Sequence, residues 1–395
     1  MPESGGAADE ESVLHPVGSS RTSLGDRAFR PDVEGLRALA VSAVVLYHFQ
    51  VPGFSGGFIG VDVFFVISGY VICGVLLRER FRTDATSMVG FYGRRARRIL
   101  PAATVVIIAT VAATFLFDST DGGRSTAIDG RWVAVFLSNF RFDSPSSNPL
   151  SPLRNFWSLA VEEQFYLVFP ALFAGIVSVR RGPTLRIRLL IALGTISLAS
   201  FTLSVVQTGR NPLWAYLSPF TRAWELAFGA LIAVGAIWLK DIPEVAARVL
   251  TWVGIGLIVF ASVTFSESGN YPGWKVAVPV IGTALVIGGG VTVPRFGAES
   301  ILGLAPFGWL GKRSYSVYLW HWPVLIVVAA AGYAVSSWPI KVTCLVGVMG
   351  ISMLTFRVVE NPVRHLALPP GRSVQLGLVL VGVTVALLTV AIQLS

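Results

Sequence analysis

Residues 30–80 read RPDVEGLRALAVSAVVLYHFQVPGFSGGFIGVDVFFVISGYVICGVLLRER, and FYGRRARRILPA follows at 91–102. From Leu36 to Val51 nearly every residue is apolar, with Arg37 close to one end and His48 close to the other. At about 100° per residue their spacing is close to three full turns. The two side chains therefore share one helix face, about 16 Å apart along the axis. Ionisable groups on an apolar helix are costly in hydrocarbon and point into protein or a watered cavity. Each also has a plainer reading, Arg37 as a snorkelling residue at the membrane border and His48 as a hydrogen-bonded core histidine. Gly53, Gly56, Gly57 and Gly60 then allow a tight turn. Asp62 opens the next apolar run where a helix dipole favours an anion, and it is also a candidate to orient the imidazole.

The wider composition agrees with a membrane origin. Of 395 residues 53% are hydrophobic and only 13% charged, about half the charge of a soluble domain. Mean hydropathy is +0.68. The net charge of +9 is no nucleic-acid signature, because the basic residues sit at the ends of apolar runs. Cys73 and Cys344 lie inside such runs and show neither metal-ligand spacing nor a disulfide framework. Residues 1–28 are polar, Ser- and Gly-rich and acidic early, and read as a disordered cytoplasmic tail in which His15 is incidental.

Apolar runs predict about eleven spans, near 36–52, 58–77, 99–117, 156–178, 187–206, 217–239, 248–265, 274–292, 315–333, 340–358 and 374–393. The arginines at 78, 80, 82, 94, 95, 97 and 98 follow the second span, and those at 180, 181, 186 and 188 follow the fourth. Lys240 and Arg248, then Arg295, Lys312 and Arg313, then Arg357, Arg364 and Arg372 follow later even spans. This bias predicts an all-α polytopic helical bundle with its N-terminus cytoplasmic and its C-terminus extracytoplasmic. The long third loop contains RWVAVFLSNF, too short to span and readable as a re-entrant or interfacial helix. A rival reading makes 127–142 a spanning helix, which would reverse every later loop against the charge bias.

Several residues then stand out. Arg94, Arg95, Arg97 and Arg98 serve as positive-inside anchors or as a cytoplasmic site for a phosphate-rich ligand, which guanidinium groups grip bidentately. In FWSLAVEEQFYLVFP, Glu162 lies one turn beyond Ser158 inside a span and needs a partner. Arg37, His48 and Arg222 are the candidates, and Glu163 points away from Glu162. Arg222 and Glu225 are spaced to pair structurally. His321 sits in YSVYLWHWPV, which alone reads as an aromatic belt with a polar passenger. Glu360 lies between Arg357 and Arg364 and reads as an interfacial, paired residue. There is no Gly-x-Ser-x-Gly elbow, Walker loop or dinucleotide fingerprint.

Arg37 and His48 with ten residues between them, GGFIGVDVFFVISGYVI, FYGRRARRILPA, NFWSLAVEEQFYLVFP, SPFTRAWELAFGALIA, LGKRSYSVYLWHWPV and Glu-Asn-Pro at 360–362 follow one another in that order. Together they resemble the membrane acyltransferase-3 family, which includes bacterial O-acetylases of lipopolysaccharide, peptidoglycan and other glycans. The resemblance covers about residues 30–365, leaving 366–395 as a linker and an additional C-terminal helix. It implies a multi-pass protein of the inner membrane that moves an acyl group, acetyl above all, from cytoplasmic acyl-CoA to a glycan or glycoside hydroxyl, without a metal. On that footing the four arginines would hold the coenzyme A phosphates. His48 would act as general base, with Glu162 or Asp62 orienting it, and Arg37 would steady the thioester oxygen or a phosphate. His321 becomes a site residue because Tyr-Leu-Trp-His recurs in the family. Many relatives carry an extracytoplasmic SGNH esterase-type domain after an eleventh span. A transmembrane relay feeding such a domain is the alternative activity, and a transporter or flippase is a third. The third calls for an internal repeat with paired broken helices, which the sequence does not display.

The charge bias generates a direct test. Cysteines placed beside Arg95 and at Ser395 should label from opposite faces of the membrane; labelling from the same face would remove the topology argument.

Overall fold

The computed structural model describes residues 30–179, 183–267 and 270–395. The tail expected over 1–28, with His15, lies outside the described residues, as do Arg180 and Arg181. Helix α1 is Pro31–His48. It starts on a proline whose missing N–H costs nothing in a first turn, and Asp32 and Glu34 sit at its positive end. A turn with Gly53 at φ +87° and a short Gly57–Ile59 3-10 helix lead to α2, Gly60–Thr83. Helix α3, Met88–Phe117, is capped by Ser87, whose hydroxyl accepts from Gly90 N at 3.0 Å. The four arginines therefore lie inside its first three turns.

The third loop folds into α4, Thr120–Ala134, and α5, Ser138–Asp143. Phe136, at φ +56°, breaks the path between them. The rival spanning helix over 127–142 is thus absent: a positive-φ turn interrupts it, and the chain folds back instead. Gln164 holds that turn, donating to the Phe136 carbonyl and to Asn139 Oδ1, each at 2.8 Å. Irregular backbone at such a place needs partners of this kind.

The chain continues through α6, Phe156–Val179, α7, Pro183–Thr208, and α8, Pro212–Leu217. Then come α9, Pro219–Leu239, α10, Glu244–Thr264, α11, Ala277–Gly289, and α12, Glu299–Leu302. It ends with α13, Ala305–Ala330, α14, Trp338–Thr355, a π-helical turn Phe356–Glu360, α15, Asn361–Arg364, and α16, Pro370–Leu394. No strand occurs among the described residues, and the fold is all-α. Among the described residues, eight helical stretches are long and apolar enough to cross a membrane: α2, α3, α6, α7, α8 with α9, α10, α14 with its continuation, and α16. The other three expected spans fall on α1, which carries Asp32, Glu34 and Arg37; on α11, with 13 residues; and on α13, with its polar and aromatic middle. Leu116, Leu167, Leu198, Val346 and Leu378 are exposed, a surface that lipid covers at no cost.

Two large cores meet along α1 and α2. One gathers Val44, Val106, Phe156 and Leu319, and the other Leu36, Val63, Val280 and Leu302. Small residues set the helix crossings. A Cβ on Gly69 would lie 1.7 Å from the Leu226 carbonyl oxygen, and one on Gly229 would lie 2.0 Å from that of Val66. Helices α2 and α9 therefore approach backbone to backbone, as glycines permit in membranes. Gly229→Ala should lower the thermal unfolding midpoint in detergent, at a cost of about 1–3 kcal/mol. Gly235→Ala on the same helix, where nothing lies within 4 Å, should leave it unchanged or raise it slightly.

Candidate active site

Helix α1 packs along α13 in parallel. At one end, a Cβ on Gly311 would lie 2.0 Å from the Glu34 carbonyl oxygen, so the backbones touch there. At the other end, His321 Nε2 lies 3.1 Å from His48 Nδ1, with ring centroids 5.1 Å apart. The Trp322 ring lies 4.8 Å from that of His48, and Tyr47 lies 5.1 Å away on the other side. His321 is fully buried, whereas His48 keeps part of its surface open.

The hydrogen bonds give this pair a direction. His321 Nδ1 lies 2.6 Å from the Tyr318 carbonyl oxygen, which can only accept, so that nitrogen carries the hydrogen. With both rings neutral, His321 Nε2 is then the acceptor of the inter-ring bond and His48 Nδ1 its donor. In that tautomer His48 Nε2 is unprotonated, the state a general base requires. Asn155 fixes the far end: its Nδ2 donates to the same Tyr318 carbonyl at 2.8 Å. The Tyr318 hydroxyl returns a bond to the Asn155 carbonyl at 3.0 Å and meets Ser158 Oγ at 2.6 Å.

The carboxylates expected to orient His48 are engaged elsewhere. Glu162 accepts from Ser68 Oγ at 2.9 Å and from Arg95 at 3.3 Å. Arg95 also binds Glu163 and lies 3.6 Å over the Tyr166 ring. Asp62 accepts from Arg222 at 2.8 Å and from the Tyr271 hydroxyl. Arg222 binds Glu225 as well, at 2.7 Å, and all three charged groups are buried. A guanidinium in an apolar interior draws the nearest carboxylates to itself. The imidazole, being neutral, is left to a neutral partner, and His321 takes the place expected for Glu162 or Asp62.

The four arginines have different partners. Arg94 is half-exposed and pairs with Glu79 at 2.8 Å. Arg97 donates to the Ser373 hydroxyl of α16 and to the Leu368 carbonyl at 3.3 Å. Arg98 lies within electrostatic reach of Arg37, Arg95 and Arg364, and of the Glu162 and Glu360 carboxylates. Arg37 has only a 3.4 Å bond to Glu34, and Glu360 accepts from Ser316 Oγ at 2.6 Å. Arg37, Arg98 and Arg364 thus gather around Glu360 and Glu34 at the α1 end opposite His48, three arginines to two carboxylates. Among the described residues no group of three His, Cys, Asp or Glu is arranged to hold a metal.

Sequence reasoning had singled out His48, His321, Arg37, Glu162 and Asp62. The structure brings the first two together, places Arg37 at the far end of α1, and gives each carboxylate an arginine. It adds Asn155 and Tyr318. Their signal was the i,i+3 spacing of Tyr318 to His321 and of Asn155 to Ser158, ordinary until the two helices are known to meet.

Residues 30–357 match a family model described as an acyltransferase domain. The chain is 32% identical over 363 residues to the peptidoglycan O-acetyltransferase OatA of Listeria monocytogenes, covering 87% of this chain and 57% of that one. It is 31% identical over 352 residues to the O-acetyltransferase OatA of Staphylococcus aureus, covering 85% and 57%. The chain therefore spans little more than half the length of these relatives. No solved structure matches it.

The ion pairs predict unequal costs. Arg95→Ala, which strands Glu162 and Glu163, should destabilise the protein by about 3 kcal/mol. Arg94→Ala should stay within about 1 kcal/mol of the native protein. Thermal unfolding in detergent reads both, and equal costs would mean that Arg95 is no more a scaffold than Arg94.

Proposed function

The chain belongs to the membrane acyltransferase-3 family, and from that membership we propose that it transfers an acyl group, acetyl above all, from acyl-CoA to a glycan hydroxyl. The observation that carries the reading is the 3.1 Å approach of His48 Nδ1 to His321 Nε2, with His321 Nδ1 in turn 2.6 Å from the Tyr318 carbonyl; in the neutral tautomers that suit these contacts His48 Nε2 is unprotonated. The acceptor hydroxyl gives its proton to His48 Nε2 as its oxygen bonds to the thioester carbonyl carbon. The tetrahedral intermediate collapses, the carbon–sulfur bond breaks, and the imidazolium returns the proton to the leaving thiolate. While charged, His48 is steadied by its bond to His321, which passes the polarisation to the Tyr318 carbonyl. Asn155 and Tyr318 are positioning residues for this pair.

Arg37 lies about 16 Å from His48 along the helix, too far to touch a thioester at the imidazole. We assign it with Arg98 to the donor's phosphates, on the side toward which the arginine loops point. That spacing is comparable to the reach of a pantetheine arm, so a donor held at the basic cluster can offer its thioester beside His48. Arg94, Arg95 and Arg97 support that end through Glu79, the Glu162–Glu163 pair and Ser373. Cys73 is buried in an apolar core and is no nucleophile.

One observation favours a second reading. The relatives extend well beyond the matched region, and in this reading the acyl group passes to a further, SGNH-type extracytoplasmic domain or partner. Mapping the native gene beyond Ser395 separates the two.

With purified protein in lipid nanodiscs and labelled acetyl-CoA, His48→Gln should lower transfer by at least about 100-fold while donor binding persists. Arg37→Ala and Arg98→Ala should each weaken donor binding about tenfold or more, the worth of one charge-assisted phosphate bond. Near-normal turnover in His48→Gln would make His48 structural and shift the base to His321.

A further inference from the structure

Asp62 of α2 and Glu225 of α9 meet on one guanidinium. Arg222 Nη1 donates to Asp62 Oδ1 at 2.8 Å and to Glu225 Oε1 at 2.7 Å. The side chains of all three are at most 1% exposed. Among the described residues, Arg222 is the only cation bonded to either carboxyl group. Rings enclose it. Its guanidinium carbon lies 4.8 Å from the centroid of Tyr216, 5.7 Å from that of Trp157 and 5.8 Å from that of Tyr271. Aromatic faces favour a cation in their own right, so Arg222 has little need of a second anion. The pair is thus faced by Arg222 from α9, Tyr216 from α8, Tyr271 from the loop before α11, and Trp157 from α6.

With every group ionised the charges do not balance. Two carboxylates against one guanidinium leave one net negative charge in an apolar interior, which is strongly unfavourable. The hydrogen bonds show where the imbalance sits. Asp62 has a donor on each oxygen, Arg222 on Oδ1 and the Tyr271 hydroxyl on Oδ2. Glu225 does not: its Oε2 is buried and has no hydrogen-bond partner. The two carboxyl groups nevertheless lie within hydrogen-bond reach of each other. Ionised carboxylates only accept, so no bond can form between them. One proton on Glu225 answers both points. It cancels the surplus charge, and it supplies the missing hydrogen between the two groups, as in other carboxyl pairs that share a site.

We propose that the Asp62–Glu225 pair binds one proton in the folded protein, and that this proton locks α2, α9 and the loop before α11 together until alkaline pH removes it. Asp62 is then the ionised partner of Arg222, and Glu225 is a neutral acid that donates to Asp62. The proposal is independent of the chemistry at His48. In the unfolded chain Glu225 ionises in the ordinary carboxylate range, near pH 4 to 5. Folding therefore takes up a proton, so the stability this pair contributes is full below that range and is lost as pH rises through the titration of the folded pair. Infrared difference spectra of the full chain in nanodiscs, native against Glu225→Gln at neutral pH, should show one protonated carboxylic acid lost and the ionised-carboxylate band unchanged. The thermal unfolding midpoint of Glu225→Gln, relative to native, should rise between about pH 5 and about pH 9. An acid band missing from the native protein overturns the proposal without any variant. Loss of ionised carboxylate in Glu225→Gln overturns it too, as does a midpoint difference that stays constant with pH. Should Glu225→Gln fail to fold, Asp62→Asn carries the test. Glu225 would then ionise against Arg222, so the acid band should vanish while the carboxylate band holds; an acid band that persists in Asp62→Asn overturns the shared proton.

Discussion

A charge inside an apolar bundle must be answered by an opposite charge or it unfolds its surroundings. Much of this architecture follows from that constraint. Arg222 gathers Asp62 of α2 and Glu225 of its own helix, and with Tyr271 it ties α2 and α9 to the loop before α11. Arg95 gathers Glu162 and Glu163 and ties α3 to α6. Arg141 binds Asp129 at 2.8 Å and ties the folded-back segment together. These pairs are joints between helices. Once they are made, the partner left to His48 is a neutral imidazole, that of His321.

A catalytic imidazole is often oriented by a carboxylate, and the sequence reading looked for one. In this bundle a carboxylate beside His48 would have to compete with the nearby arginines for its own partner. A second histidine avoids the competition, because it accepts through one nitrogen and donates through the other without adding charge. The Tyr318 carbonyl, fixed by Asn155, decides which nitrogen does which. Orientation here rests on a backbone oxygen, one that no side-chain substitution removes.

The helical framework was legible because apolar length and arginine placement are properties of single segments. Arg37 and His48 could be set on one face from spacing alone, and the structure keeps them on one helix. Partner choice was not legible. Glu162 and Glu163 point about 100° apart on an isolated helix, yet one long Arg95 fork reaches both. Arg94, Arg97 and Arg98 looked equivalent on α3, but Glu79 and Ser373, from distant sequence, claim two of them and leave the third. The re-entrant reading of the third loop was available from its length, whereas the Gln164 clamp that makes it tolerable was not. His321 was singled out only from resemblance, since a histidine between tryptophans has no partner until α13 lies beside α1.

The neutrality of the histidine pair reaches beyond the site itself. In the chemistry proposed here, the proton that His48 accepts goes back to the departing thiolate, and the phosphates stay with the arginines at one end. Nothing charged crosses the bundle in a turnover. Such a cycle is electroneutral: it neither draws on the membrane potential nor leaks ions through it, and a cell with a collapsed proton gradient would still be able to run it.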